Sequence, residues 1–235
     1  DLKALQPGHK FFWHIFAVLC FLKGGLSLKT TFLSSIPNLF FSAFWMLTII
    51  NAFNLIDVMD GLASLVAIVA TSTLFGIALC FKQYSLSLLL LTFLGPLLAF
   101  FIYNRPPARI YLGDTGALFI GGFLAAVPML FNWSGQSITA YYAPIIILGV
   151  PTLEVVSLVI IRTWLGIPFY KGSPHHFSIF LQKKGWSKNT VLLFTTLASA
   201  ILSAIALCFL FGIISWIIMM LCLAVFLALW SIIVF

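Results

Sequence analysis

The sequence predicts an all-α fold, a polytopic integral membrane protein of about eight transmembrane helices with its chemistry on the cytoplasmic face. Three observations carry that prediction. The 235-residue chain is 63% hydrophobic and 7% charged, with a mean hydropathy of +1.18. No soluble core hides that much apolar surface. The apolar residues fall into repeated runs near the roughly 20 residues that a spanning helix needs, and the few charges collect between them on alternating sides.

Taken in order, the runs predict spans over 11–22, 38–57, 62–81, 86–103, 114–131, 140–161, 190–211 and 213–235. The first is short. The last two are separated by little more than Gly212, which predicts a tight hairpin. There is no internal repeat and no second compositional region, so residues 1–235 read as a single membrane-embedded domain. The run lengths exclude a signal peptide as the source of the hydropathy. Cys20, Cys80, Cys208 and Cys222 lack metal-type spacing and read as packing residues.

The net charge of +7 reflects twelve Lys and Arg against five acids. Alternating the helices places Lys3, Lys10, Arg105, Arg109, Arg162, Lys171, Lys183, Lys184 and Lys188 on one side, and Lys23, Lys29 and Lys82 on the other. By the positive-inside rule the first side is cytoplasmic, and the excess marks membrane topology rather than nucleic-acid binding. Trp133, Tyr141 and Tyr142 flank an opposite loop, as interfacial anchors do. Four polar clusters then converge on one membrane surface: Asp1, the Asp57/Asp60 end, the 104–116 loop and the 162–188 loop.

Acids at a bilayer are costly, so the five here are the informative residues. Asn51, Asn54, Asp57 and Asp60 recur every third residue. Each such step turns an ideal helix by roughly −60°, so the four cannot share one face unless the helix ends within them. Gly61 is the expected stop, with Asn51 assigned partly to helix packing. After Pro106 and Pro107, Asp114-Thr115-Gly116 opens a helix, where Asp is also an ordinary N-cap. The company of Asn104, Arg105, Arg109, Asp57 and Asp60 favours a divalent metal holding a phosphate, with Mg²⁺ suited to carboxylates shared with substrate oxygens. His175 and His176 lie in a basic loop able to take an anion, whereas His9 and His14 read as interfacial or packing residues. Pro151 should kink its helix, and the intramembrane Glu154 needs a partner, either to shape a groove or as structural glue.

Together these pieces resemble the polyprenyl-phosphate N-acetylhexosamine-1-phosphate transferases, glycosyltransferase family 4. Asn51-Ala-Phe-Asn54-Leu-Ile-Asp57-Val-Met-Asp60-Gly61-Leu-Ala resembles the family's N-x-x-N-x-x-D-x-x-D-G-L-A. Asn104 through Gly116 resembles N-x-x-P-A-x-I-x-x-G-D-T-G. Pro151, Glu154 and Arg162 resemble a later P-x-x-D…R segment, with Glu in place of Asp. Gly166-Ile-Pro-Phe and Ser173-Pro-His-His-Phe-Ser resemble the histidine loop. Four motifs in order, covering nearly the whole chain, make the likeness specific.

The resemblance implies transfer of a sugar-1-phosphate from a UDP-N-acetylhexosamine to undecaprenyl or another polyprenyl phosphate, releasing UMP. The implied setting is the bacterial inner membrane, the implied cofactor Mg²⁺ with Mn²⁺ as substitute, and a homodimer is compatible. Asp114 would ligate the metal. Asp57 and Asp60 would bind nucleotide or position metal and substrate. Asn54 and Asn104 would hydrogen-bond the nucleotide-sugar, and His175 and His176 would contact phosphate or sugar. Lys10 resembles a family lysine near the lipid phosphate. Asp1 would be the second member of a catalytic Asp pair, which implies that N-terminal helices of a longer protein precede it.

The loop departs from the family's frequent D-H-x-x-H, with His175 at the Asp and Ile179 at the second His. It also lacks the triple histidine of the muramyl-pentapeptide branch, which favours GlcNAc as the sugar. Two other readings stand beside the transferase. A secondary transporter would carry acids near the bilayer midplane and a repeated fold, and a non-catalytic scaffold would descend from the transferases.

Overall fold

The computed structural model describes residues 7–28, 30, 33–133, 138–168 and 171–234. Asp1 and Lys3 lie outside the described residues. Every regular element among those described is helical. The order is α1 (Pro7–Lys23), α2 (Ser35–Ile56), α3 (Leu62–Cys80), α4 (Tyr84–Asn104), α5 (Gly113–Leu130), a 3₁₀ turn (Ile138–Tyr142), α6 (Ala143–Ile147), α7 (Gly149–Trp164), α8 (Phe177–Lys183), α9 (Lys188–Leu210) and α10 (Trp216–Val234).

Among the described residues, six helices are long and apolar enough to cross a membrane: α2, α3, α4, α5, α9 and α10. The count reaches seven when the bent pair α6–α7 is taken as one span. The predicted eight therefore separates into two cases. α1 has 17 residues, about 25 Å of helix against a hydrocarbon core of about 30 Å. The predicted span 140–161 is a broken helix, bent by 67° between α6 and α7. Pro151 supplies the reason, because its ring would collide with the carbonyl of Ile147, the last residue of α6. The next carbonyl, that of Leu148, keeps a helical partner: it accepts from the Thr152 amide at 3.2 Å and from the Thr152 hydroxyl at 2.8 Å.

The core lies where α2 packs on α5 and α7, and α3 packs on α4 and α9. Met46, Ile49, Phe53 and Ile56 of α2, Leu62, Leu74 and Ile77 of α3, and Leu124 of α5 are fully buried in it. α10 is peripheral, with Ile217 71% and Ile232 74% exposed, so its apolar surface is left for lipid. Two of the cysteines read as packing residues, Cys20 and Cys80, are exposed instead.

The α2–α5 crossing sets the geometry of everything at its end. Ala117, Gly121 and Ala125 recur every fourth residue on the face of α5 that meets α2, and all are buried. A Cβ at Gly121 would lie 2.9 Å from Ile50 Cα and 3.1 Å from the Ile49 carbonyl oxygen. Small residues are what allow helix backbones to approach this closely in a membrane. One turn further on, the Trp45 indole donates to the Ala125 carbonyl at 3.0 Å.

The two ends of the bundle are built differently. At one end, the rings of Phe81, Phe131, Trp133, Tyr141 and Phe211 form a contact chain, and Tyr142 meets Trp216 at 5.1 Å. Gln83 closes that end by exchanging two 3.0 Å hydrogen bonds with the Asn132 backbone. The opposite end gathers the acids. There Lys184 donates to the Ile233 carbonyl near the C-terminus of α10, a favourable place for a cation.

Replacing Gly121 with Ala, and more strongly with Leu, is expected to wedge α2 from α5. Thermal unfolding in detergent should show a loss of about 1–3 kcal/mol for Gly121→Ala. Gly122→Ala, where a Cβ meets nothing within 4 Å, should unfold like the unsubstituted protein.

Candidate active site

Asp114 is the second residue of α5 and is the point where three helices meet. Its Oδ1 accepts from the Asn54 amide of α2 at 3.0 Å, and its Oδ2 is ion-paired with the Lys10 ammonium of α1. The α2–α5 crossing explains the first contact. Gly121 lies two turns beyond Asp114, and Ile50 one turn before Asn54, so the close approach of Gly121 to Ile50 sets Asn54 opposite Asp114. The side chain of Asp114 stays 41% exposed, so the carboxylate is anchored but accessible.

The helix end expected at Gly61 comes slightly earlier, at Ile56. Asp57 and Asp60 therefore sit in the turn between α2 and α3, freed from the helical rotation that would have separated them. Burial, and then repulsion from Asp114, raises the Asp57 carboxyl to a pKa of about 6. Asn51, assigned partly to packing, is exposed.

Asp60 is held by Lys188 from the first turn of α9, Oδ2 to Nζ 2.8 Å. A lysine at a helix N-terminus opposes the macrodipole, which was the available sign that Lys188 serves a partner elsewhere. Gly61 adopts φ +76°, and a Cβ there would press on Phe101 at 3.1 Å and on Arg105 Cα at 3.4 Å. The α2–α3 turn is thereby clamped against the end of α4.

Asn104 completes the clamp. Its Oδ1 accepts from the Gly61 amide at 3.2 Å and the Ser64 hydroxyl at 2.8 Å, while its Nδ2 donates to the Ile110 carbonyl at 2.9 Å. The side chain is 3% exposed. The sequence reading placed Asn104 against the nucleotide-sugar; here its amide is engaged inside the protein and ties the 105–112 loop to the aspartate turn. Ser64 went unnoticed because a serine inside an apolar run carries no signal of its own. Arg105 and Arg109 on that loop are exposed.

The adjacent histidines part company. His176 is 6% exposed and its Nδ1 lies 2.8 Å from Oε1 of Glu154, itself 1% exposed. The other Glu154 oxygen accepts the Phe177 backbone amide at 3.4 Å, at the start of α8. His175 is half-buried, with its ring 6.2 Å from that of Phe180. Arg162, in the last turn of α7, donates from Nε to the Ser173 hydroxyl at 2.8 Å and so fastens the histidine loop to α7. α8 reaches back to the aspartates, because the Gln182 amide meets Met59 Sδ at 3.3 Å. His14 lies one turn below Lys10 on the same face of α1, and its Nε2 is buried with no hydrogen-bond partner among the described residues.

Asp114 and Asp57 offer hard carboxylate oxygens at a half-open position, which suits Mg²⁺ bound by one or two carboxylates with water and substrate phosphate as the other ligands. The mutual repulsion felt by Asp57 is what a divalent cation would relieve. Among the described residues no three Asp, Glu, His or Cys side chains form a metal cage. The two carboxylates fit a metal whose remaining ligands come from water and substrate.

A sequence model of glycosyl transferase family 4 matches residues 1–132. Among characterised relatives, the phospho-N-acetylmuramoyl-pentapeptide-transferase of Lactococcus lactis subsp. cremoris (strain MG1363) is 36% identical over 186 residues, 74% of this chain and 55% of its own. The enzyme of that name from Enterococcus hirae is 35% identical over 173 residues, 72% of this chain and 51% of its own. That from Lactobacillus acidophilus is 31% identical over 199 residues, 81% and 51% respectively. The chain thus spans about half the length of these relatives. The family match covers both aspartate motifs, and their residues meet in space at Asp114: the chain belongs to glycosyl transferase family 4.

Proposed function

We propose that the full-length protein transfers a sugar-1-phosphate from a UDP-N-acetylhexosamine to polyprenyl phosphate at the cytoplasmic face of the bacterial inner membrane, as a single membrane-embedded domain. The observation that carries this reading is the convergence of Lys10 and Asn54 on Asp114 at one end of an apolar helix bundle. A lipid-anchored phosphate and a water-soluble nucleotide can meet only at such an interface.

In the reaction, an oxygen of the lipid phosphate forms a bond to the phosphorus carried by the sugar. The bond from that phosphorus to the UMP phosphate breaks, and UMP leaves with the electron pair. Bound Mg²⁺, with Mn²⁺ as substitute, would neutralise the diphosphate and be held by Asp114 with Asp57 beside it. The chain's own side chains do the rest. Lys10, released from Asp114, binds the acceptor phosphate. Asn54 and Asp60 position the nucleotide-sugar, and Arg105 and Arg109 attract the anionic donor. Asn104 holds the loop that carries both arginines. Asp1 contributes as the second acid of the N-terminal pair, and His175 and His176 contact phosphate or sugar from the α8 side.

The relatives' names favour N-acetylmuramoyl-pentapeptide as the sugar moiety carried. The histidine loop, with two adjacent histidines rather than three, favours GlcNAc as the second reading. Purified protein in undecaprenyl-phosphate bilayers, supplied in turn with the two radiolabelled UDP-sugars, decides between them. Labelled lipid from neither would sink the transferase reading. Vesicle uptake of solute without Mg²⁺-dependent UMP release would favour a transporter.

Asp114→Asn preserves shape and one acceptor while removing charge. It should lower the transfer rate by about 100-fold or more with little change in thermal stability. Full activity in Asp114→Asn would remove Asp114 from the machinery, and no activity in the unsubstituted protein would return the scaffold reading to favour.

In metal-free protein Asp57 should hold its proton up to about pH 6. A folded pKa above the ordinary 3.8 means that the folded state binds this proton more tightly than the unfolded chain does. Stability contributed by this group therefore falls as pH rises from about 4 to 6. Infrared titration of ¹³C-aspartate protein should show one carboxyl band with a midpoint near 6, absent in Asp57→Asn. Asp114→Asn should lower that midpoint without restoring the ordinary value, because burial is the larger cause.

A further inference from the structure

Glu154 is the most deeply buried acid among the described residues, and the mechanism above leaves it unused. An intramembrane carboxylate is costly unless it is held by partners. Here both oxygens are engaged, and both engagements lead to the same short helix: Oε1 to His176 Nδ1 at 2.8 Å, and Oε2 to the Phe177 amide at 3.4 Å. His176 is the residue before the first turn of α8. At the other end of α8, about 10 Å away at 1.5 Å per residue, Gln182 contacts Met59 between Asp57 and Asp60. The break at Leu148 matters to this arrangement. Because α7 starts afresh after a 67° bend, its direction, and with it the position of Glu154 beneath the loop, is set independently of α6.

A carboxylate that accepts from Nδ1 fixes both the orientation and the tautomer of an imidazole. Nε2 is the ring nitrogen it leaves for other work. The same logic governs the carboxylates behind metal-bound histidines, where loss of the partner lowers activity without removing the group that touches the ligand.

We propose that Glu154 is a positioning residue for the transfer: through Nδ1 and the leading amide of α8 it sets His176 so that Nε2 meets an anionic oxygen of the substrate. This rests on the transferase reading given above. The pair ties a buried point in the bundle to the loop over the aspartate turn.

The test uses full-length protein in undecaprenyl-phosphate bilayers with the UDP-sugar that it turns over, and compares Glu154→Gln, Glu154→Asp, His176→Asn and the double variant Glu154→Gln/His176→Asn. Glu154→Gln should lower kcat by about 10- to 100-fold with KM changed far less. Glu154→Asp should recover part of that loss. The double variant should be no slower than His176→Asn alone, because residues acting as one unit are not additive. Wild-type kcat in Glu154→Gln, or a double loss equal to the product of the single losses, overturns the proposal.

Should Glu154→Gln fail to fold, ¹⁵N-histidine spectra of the unsubstituted protein decide. A protonated Nδ1 on His176 supports the pair, and an unprotonated Nδ1 overturns it. Those spectra do not depend on turnover. An unsubstituted protein inactive with every UDP-N-acetylhexosamine would sink the transferase reading while leaving the pair itself to be judged.

Discussion

A carboxylate at the end of an apolar bundle must be matched from elsewhere in the chain, and Asp114 is matched from two other helices. Lys10 supplies charge from α1 and Asn54 supplies a hydrogen bond from α2. These contacts require α2 and α5 to cross at the right height. That height is fixed two turns away, where Gly121 lies against the Ile50 backbone. The packing of small residues inside the bundle thus determines the chemistry at its edge. An apolar contact of this kind cannot be compensated by the polar residues it positions, because any separation of the backbones moves Asn54 and Asp114 apart together.

Around this centre the structure sorts its polar groups by task. Asp114 and Asp57 remain open enough to meet a ligand. Asn104, Ser64 and Gly61 are consumed in a clamp that keeps the aspartate turn against α4. Lys188 ties the same turn to α9, and Arg162 and Glu154 tie the histidine loop to α7. The far end of the bundle, closed by aromatic ring contacts and the Gln83–Asn132 exchange, contains no comparable set of acids among the described residues. One end is closed by aromatic packing, and the other gathers the acids and their polar partners.

Much of this was legible in the sequence. The predicted spans 38–57, 62–81, 86–103 and 114–131 lie within a few residues of α2 to α5, since each is one apolar run bounded by polar or turn residues. The Asn51–Asp60 stripe can share a face only where the helix ends within it; the expected stop was Gly61, and α2 ends at Ile56. Other features had no local signature. The run 140–161 is continuously apolar, so only Pro151 hinted at the break before α7. Asn104 looks the same in sequence whether it faces a ligand or a backbone. His14 shares a helix face with Lys10 by spacing alone, but within an aromatic run nothing reveals that this face is turned inward. Lys188 and Glu154 are joined to Asp60 and His176 across 128 and 22 positions, distances that only the fold closes.

The central claim is that Asp114 is the anchor of a cation-dependent site. Mn²⁺ binding, followed by electron paramagnetic resonance in the full-length protein with the UDP-sugar present, tests it most directly. Bound Mn²⁺ in the unsubstituted protein, together with its loss in Asp114→Asn at the same protein stability, is the predicted result. Equal Mn²⁺ affinity in the two proteins would contradict the account.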